Sequence, residues 1–314
     1  MDFVLWFEPE RVAGGTEIAK KYPQYVHGGE NGGLFKLDDP AARRYLTDLL
    51  LKRIKEYGID VYRNDFNIDP LGFWNQNDTP DRQGITEIRY VEGFYALWDE
   101  LLAKNPGMLI DNCASGGRRI DLEMTMRSLP LWPSDTNCWA GNHQWSQNLT
   151  LGLSQYIPLY ITCAWEPDVY VMRSCMKAGI VCQWAYLDEK FPWDQAKTNL
   201  AEAKSCQKYW YGDFYPLTRA VDGAVDWCVY QNHRPDLNAG LVSAFRQTNC
   251  RYTGMAIPLK GLNAKSNYRV TLVQEDFTRQ QKTASGQELL DTGIEIYLPA
   301  KGSSALVLYE EIEK

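Results

Sequence analysis

Two aspartates, Asp65 and Asp135, each follow a short β-rich run and each sits among residues suited to a polar pocket. In Val61-Tyr62-Arg63-Asn64-Asp65-Phe66-Asn67 the carboxylate stands between a cation and an amide. That setting suits attack on an anomeric carbon, and Arg63 would keep Asp65 ionised because a nearby positive charge favours the charged form. For an isolated aspartate, half of a surface ion pair on a loop is the better reading. The second carboxylate lies in Leu131-Trp132-Pro133-Ser134-Asp135-Thr136. Glycoside hydrolysis uses two such groups, one to attack or to activate water and one to protonate the leaving oxygen. Between them runs Asn112-Cys113-Ala114-Ser115-Gly116-Gly117-Arg118-Arg119, whose paired glycines permit left-handed backbone and close approach of a ligand hydroxyl to the main chain. Alone, that segment is equally an ordinary glycine turn before a helix.

These residues need strands to carry them. Phe3–Phe7, Ile59–Arg63, Met108–Asn112, Leu129–Trp132, Leu159–Cys163 and Ile180–Trp184 are the strand candidates. Helical patterns separate them. One begins at Asp39-Pro40, an N-cap followed by a first-turn proline, carries Leu46, Leu49, Leu50 and Ile54, and stops at Gly58. A second covers Thr86 to Lys104 with Ile88, Val91, Tyr95, Trp98 and Leu102 on one face, and Asn105-Pro106-Gly107 ends it. Shorter helices are expected near Ile120–Met126, Gln147–Gln155 and Asp168–Ala178, and a longer one over Trp193–Tyr209. Alternating strands and helices predict right-handed βαβ units and a parallel sheet. Glu8, Asp65, Asn67, Cys113, Ser115 and Asp135 then collect at strand C-termini, where a (β/α)8-type TIM barrel builds its site. A doubly wound sheet would also do so, but no Gly-x-Gly-x-x-Gly phosphate loop occurs. The barrel is the preferred fold class, with residues 1–218 as its domain. From 219 to 314 the β-rich runs Val225–Gln231, Leu237–Phe245, Tyr268–Gln274, Gly293–Leu298 and Ser304–Tyr309 lack a long helix between them, which predicts a small antiparallel β domain.

Composition narrows the partners. The formal charge is −7, with no dense Lys/Arg face for a nucleic acid. Eleven Trp suit the stacking of sugar faces, or equally a Trp-rich core. Eight cysteines show no Cys-x-x-Cys spacing, and three histidines form no His-Glu-x-x-His, so neither a metal site nor any cofactor is expected. No apolar run is long enough to span a membrane, and Met1–Trp6 does not read as a signal peptide. Thiols expected to be free favour the cytoplasm, although the compartment stays open with the native N-terminus. The sequence leaves a homo-oligomer open. The sequons at Asn77 and Asn148 are short enough to arise by chance.

Taken in order, four motifs resemble glycoside hydrolase family 36, the α-galactosidase or melibiase family. Trp6-Phe7-Glu8-Pro9-Glu10 is similar to that family's Trp-Phe-Glu-Pro-Glu strand end, and Asp65-x-Asn67 to its Lys-Trp-Asp-x-Asn nucleophile motif. Asn112–Arg118 resembles its Asn-Cys-x-Ser-Gly-Gly-x-Arg sugar loop, and Trp132-x-Ser134-Asp135 its acid/base motif. The resemblance extends over nearly the whole chain, including the terminal β domain. It implies a retaining hydrolase of α-linked galactose, with Asp65 as nucleophile and Asp135 as general acid/base, acting on a galactoside or oligosaccharide. By the same resemblance Trp6, Arg63, Asn67, Cys113, Gly116 and Trp132 line the sugar site. Relatives that transfer galactose to another sugar use the same residues, and a non-catalytic sugar-binding piece is the alternative from another class.

Two departures are informative. Arg63-Asn64 replaces the family's Lys-Trp, and arginine's planar fork cannot copy a lysine's hydrogen bonds, which points to a shifted preference such as N-acetylgalactosamine or a modified galactoside. The Trp-Phe-Glu-Pro-Glu motif belongs to the family's third barrel strand. About six β/α units are expected here, so the barrel would be incomplete and the chain a fragment of a longer enzyme.

Overall fold

The computed structural model describes residues 1–157, 159–177, 179–220 and 222–312, and the chain divides into two units, Met1–Ser134 and Asp135–Lys314. The first unit opens with strand β1 (Val4–Phe7). A small antiparallel sheet in the order β2-β4-β3 follows, from β2 (Arg11–Ala13), helix α1 (Glu17–Lys21), β3 (Val26–His27) and β4 (Gly32–Phe35). Its strands of two to four residues are too short to display an alternation, so this sheet is not legible from sequence. Helix α2 (Pro40–Tyr57) starts as its residues require: the Asp39 carboxylate accepts from the Ala41 and Ala42 amides at 2.7 and 3.3 Å, and Pro40 takes the first turn. It ends on Gly58 in the left-handed region, φ 63°. Strand β5 (Val61–Asn64), helices α3 (Leu71–Asn77) and α4 (Ile85–Lys104), strand β6 (Leu109–Asn112) and helix α5 (Leu122–Arg127) complete the unit.

Strands β1, β5 and β6 form a parallel sheet in that order, with Trp6 beside Arg63 and Arg63 beside Asp111. The pleat sends Tyr62 and Asn64 to the helix side, where Tyr62, Ile110, Leu46, Leu50, Leu97, Trp98 and Leu101 are all buried. Arg63 and Asp111 project from the other face. The strand expected over Leu129–Trp132 shrinks to a single parallel bridge between Asn112 and Leu131. Pro130 and Pro133 flank that bridge and carry no amide hydrogen to extend a ladder.

Helix α4 buries a face rotated from the expected one: Trp98 is buried as expected and Tyr95 and Leu102 are partly buried against the core, but the centre of the buried stripe is shifted. Tyr90, Gly93, Phe94, Leu97, Trp98 and Leu101 face inward, while Ile88 is 57% exposed. Apolar residues occupy more than one side of this helix, so periodicity alone fits two phases. Gly93 selects between them: a β-carbon there would lie 2.1 Å from the Leu37 carbonyl oxygen, so the helix meets that backbone through its one residue without a side chain.

In the second unit Asp135 opens a single 3-10 turn, Asp135–Cys138. Helix α6 (His143–Leu153), strand β7 (Ile161–Ala164), helix α7 (Val169–Ser174), strand β8 (Gly179–Cys182) and helix α8 (Trp193–Cys206) follow. β7 and β8 pair in parallel. Helix α7 stops at Ser174, and Ala178, the expected end, lies outside the described residues.

The remaining strands are β9 (Asp213–Pro216), β10 (Trp227–Arg234), β11 (Ala239–Arg246), β12 (Gly254–Ile257), β13 (Asn267–Val273) and β14 (Arg279–Ser285), then helix α9 (Gly286–Asp291), β15 (Ile294–Tyr297) and β16 (Ser303–Ile312). They make a six-stranded sheet ordered β14-β13-β16-β11-β10-β9, with β9 lying ahead of residue 219, and a separate β12–β15 pair. All eight residues of β11 are buried. Val242 and Ala244 join one core with Val229, Leu259 and Val307, while Leu241 and Phe245 face helix-borne residues such as Cys206, Leu151 and Tyr170. A strand covered on both faces has no polar alternate, which is why Asn238–Arg246 alternates so loosely in sequence.

Candidate active site

Asp65 follows directly on β5, and its amide donates to the Phe7 carbonyl at the end of β1 at 2.8 Å. Its side chain is 9% exposed. The amides of Phe66 and Ser115 donate to Oδ1 at 2.7 and 3.2 Å, and the Trp6 indole donates to Oδ2 at 3.1 Å. Burial works against the anion, but hydrogen bonds from the Asn67 and Cys113 side chains, the Ser115 amide and the Trp6 indole outweigh it and draw the carboxyl down to about 2. Asp65 is therefore an ionised carboxylate, restrained by these donors, across the neutral range.

The loop after β6 is shaped to supply those donors. Ser115 adopts φ 50° and Gly116 φ 82°, which turns the Ser115 amide toward Asp65. The Ser115 hydroxyl donates to Asn67 Oδ1 at 2.7 Å and lies 3.1 Å from the Phe66 carbonyl, so the two strand-end loops hold each other. Arg118 fastens them again, donating to the carbonyls of Ala114, Phe66 and Ile68. Burial pushes the Cys113 thiol up to about 12, against the Gly116 amide, and the Asp65 charge raises it further. It is thus a protonated donor beside the carboxylate and no nucleophile at neutral pH.

Arg63 does not serve Asp65 in the expected way. Its guanidinium donates to Asp111 Oδ2 at 2.8 Å and lies over the Trp132 ring, 4.8 Å from its centre. The partners that hold Asp65 ionised are neutral donors, and among the described residues Arg63 makes no other hydrogen bond. Asp111 was missed in the sequence. It is an acid inside the apolar run Leu109-Ile110-Asp111-Asn112, in phase with Cys113, and that oddity was its only signal. Glu8 accepts from the Asn67 amide at 3.1 Å and from Arg11 at 2.5 Å, so it too supports the loop carrying Asn67.

Glu10 of the same motif has a different use. It is fully buried, takes both ends of the Arg119 fork at 2.8 and 2.6 Å, and accepts from the Tyr90 hydroxyl at 2.7 Å. Arg119 is sandwiched between the rings of Phe66 and Phe94, 3.9 and 4.2 Å from their centres. This cluster is structural and anchors the loop behind Asp65.

Trp6 is half exposed although its indole N–H is engaged, whereas Trp132 is buried under Arg63. Trp6, Arg63, Asn67, Cys113, Gly116 and Trp132 thus all belong with Asp65 to the first unit. Asp135 stands at the start of the second, half-buried, with the Cys138 thiol 4.0 Å from its Oδ1. Among the described residues no cluster of His, Cys, Asp and Glu could hold a metal ion, and no helix is long and apolar enough to cross a membrane.

Residues 1–142 match the Melibiase family model. The chain is 28% identical over 315 residues to α-galactosidase Mel36A of Lactobacillus acidophilus, an alignment covering 93% of this chain and 41% of that one. It is 28% identical over 143 residues to α-galactosidase 1 of Pediococcus pentosaceus, covering 43% of this chain and 20% of the other. In fold it is similar to a stachyose complex of the GH36 α-galactosidase AgaA of Geobacillus stearothermophilus, with TM-score 0.84 and 19% identity over 99% of this chain and 45% of that one. It is similar also to the α-galactosidase of Lactobacillus brevis, with TM-score 0.82 and 21% identity over all of this chain and 45% of the other. The chain therefore spans less than half the length of these relatives. In its matched segment the chain is thus similar to the Melibiase family, in sequence to curated α-galactosidases, and in fold to α-galactosidases of glycoside hydrolase family 36.

Proposed function

We propose that this chain carries the catalytic residues of a retaining α-galactosidase, with Asp65 as nucleophile and Asp135 as general acid/base. The observation that supports it best is the donor set around Asp65, which holds a carboxylate near 2 at the end of a barrel-type strand. In the first step an Asp65 oxygen bonds to the anomeric carbon as the glycosidic bond breaks, and Asp135 gives its proton to the departing oxygen. In the second, Asp135 takes a proton from water, the water oxygen bonds to the anomeric carbon, and Asp65 leaves. A carboxylate this well solvated by fixed donors is a good leaving group, which favours the second step.

Trp6, Arg63, Asn67, Cys113, Gly116 and Trp132 are proposed to line the sugar site. Solved relatives are described in complex with raffinose and with stachyose, so α-galactosyl oligosaccharides are the proposed substrate class. The finer architecture belongs to the same proposal: about six β/α units of a (β/α)8-type barrel over residues 1–218, followed by an antiparallel domain over 219–314.

Asp65→Ala should abolish hydrolysis of a nitrophenyl α-galactoside, and azide should restore release of nitrophenol with a β-galactosyl azide as product. Normal turnover by that variant would defeat the assignment. In a galactose-bound crystal structure the Asp65 and Asp135 carboxyls should lie about 5–5.5 Å apart, whereas a gap of about 6.5–9.5 Å would indicate inversion. Saturable sugar binding with no nitrophenol release would support a binding module instead.

A further inference from the structure

Asp111 sits directly beside Arg63 in the β5–β6 register, and Arg63 sits beside Trp6 in the β1–β5 register. The three side chains form one row on the sheet face that Asp65 also uses, one pleat step beneath it. Asp111 is only 4% exposed, and one of its oxygens binds Arg63 at 2.8 Å while the other is buried without a hydrogen-bond partner among the described residues. The guanidinium is clamped twice, edge-on by Asp111 and face-on by Trp132, while its side chain keeps some exposure. Five N–H donors in a fixed fork, with one bonded to Asp111, leave others free to meet sugar hydroxyls.

We propose that Asp111 is a positioning and specificity-determining residue: it aims the Arg63 fork and cancels its charge, so that the site beside Asp65 selects neutral glycosides over uronic or otherwise anionic ones. The inference rests on the proposed sugar site. Its physical basis is simple. An anionic sugar next to Arg63 meets one positive and two negative groups, Asp65 and Asp111, and is repelled. With Asp111 neutral, the arginine balances Asp65 and the repulsion goes. A neutral galactose is bound by hydroxyl contacts and gains nothing from that change, losing instead the aim of the fork.

The test is calorimetric binding of galactose and of galacturonate to the whole chain at pH 7, with wild type and variants first matched by circular dichroism. Wild type should prefer galactose. Asp111→Asn, which keeps the shape and one acceptor for Arg63, should move the preference toward galacturonate by about tenfold or more, the size expected for one poorly screened charge within several ångströms. The same substitution in an Arg63→Gln background should move it by less than about twofold, because the effect runs through Arg63. Asp111→Glu retains the charge and should keep the galactose preference, which also guards against a folding defect in the asparagine variant. An unchanged ratio in Asp111→Asn, an equal shift in both backgrounds, or a wild type that binds neither sugar would overturn the proposal. Binding is read apart from turnover: a chain that binds in this pattern but does not hydrolyse defeats the proposed function, and one that hydrolyses with an unaltered ratio defeats this inference alone.

Discussion

Replacing Asp65 by Asn should destabilise the protein in a way that depends on pH. The carboxyl falls from its usual 3.8 to about 2 in the folded chain. At about 1.36 kcal/mol for each tenfold change in proton affinity, the ionised form contributes about 2.5 kcal/mol to folding at pH 7. A depressed folded value means that this contribution is complete above 3.8 and is lost as pH falls through about 2. At pH 3 the same two values leave about 1.3 kcal/mol, so roughly half has gone. Asparagine has no such titration. Its oxygen can still accept from the Phe66 and Ser115 amides, but its NH2 then confronts the Trp6 indole N–H, a cost that does not vary with pH. Urea unfolding followed by tryptophan fluorescence, at fixed ionic strength, should give a wild-type advantage that is about 1 kcal/mol smaller at pH 3 than at pH 7. An advantage that stayed constant or widened on acidification would refute the reasoning about which groups hold the charge.

Three further outcomes follow from other parts of the molecule. Glu10→Gln leaves Arg119 charged between two phenyl rings with its anion gone, and should cost about 3–5 kcal/mol in the same unfolding assay. Gly93→Ala should destabilise, although alanine in mid-helix normally stabilises by about 1 kcal/mol, because the new methyl meets the Leu37 carbonyl; a rise in melting temperature would contradict the packing of α4. A thiol reagent at neutral pH should modify Cys138 and Cys182, the exposed cysteines, and spare Cys113, whose thiol is buried and pushed up to about 12; peptide mapping that finds Cys113 labelled in the folded protein would contradict the site geometry.

What could be read from sequence depended on whether a signal was local. Asp39-Pro40 and Gly58 mark their helix because caps act through their own neighbours, and they stand where expected. The face of α4 was legible only to within a rotation, with Trp98 inside as expected and Ile88 outside, because its close approach to the Leu37 backbone, far off in the chain, is made at Gly93. Strand β14 escaped notice because Arg279–Ser285 is an edge strand with mostly exposed side chains, so its sequence has no apolar face to betray it. In the site, the residues that gather around Asp65 were named by their motifs, but the pairing of Arg63 was not. Adjacency in sequence suggested Asp65 as its partner, whereas the parallel register offers Asp111 across the sheet. Cross-strand register is set by the fold and leaves no mark in a single strand.

The helix side of β5 adds something to the behaviour of Asp65. There the Tyr62 hydroxyl donates to Asn64 Oδ1 at 2.9 Å and the Trp98 indole reaches the same oxygen at 3.3 Å, all of them buried. The strand that delivers the carboxylate is thus bolted from behind as well as from the front. Its amides should be among the slowest in the first unit to exchange with deuterium, opening only when that unit unfolds. Trp6, tied by one indole hydrogen bond and half exposed, is held by fewer contacts. In the proposed sugar site, an incoming ligand would then meet an anion braced from both sides of its strand and one more lightly held wall.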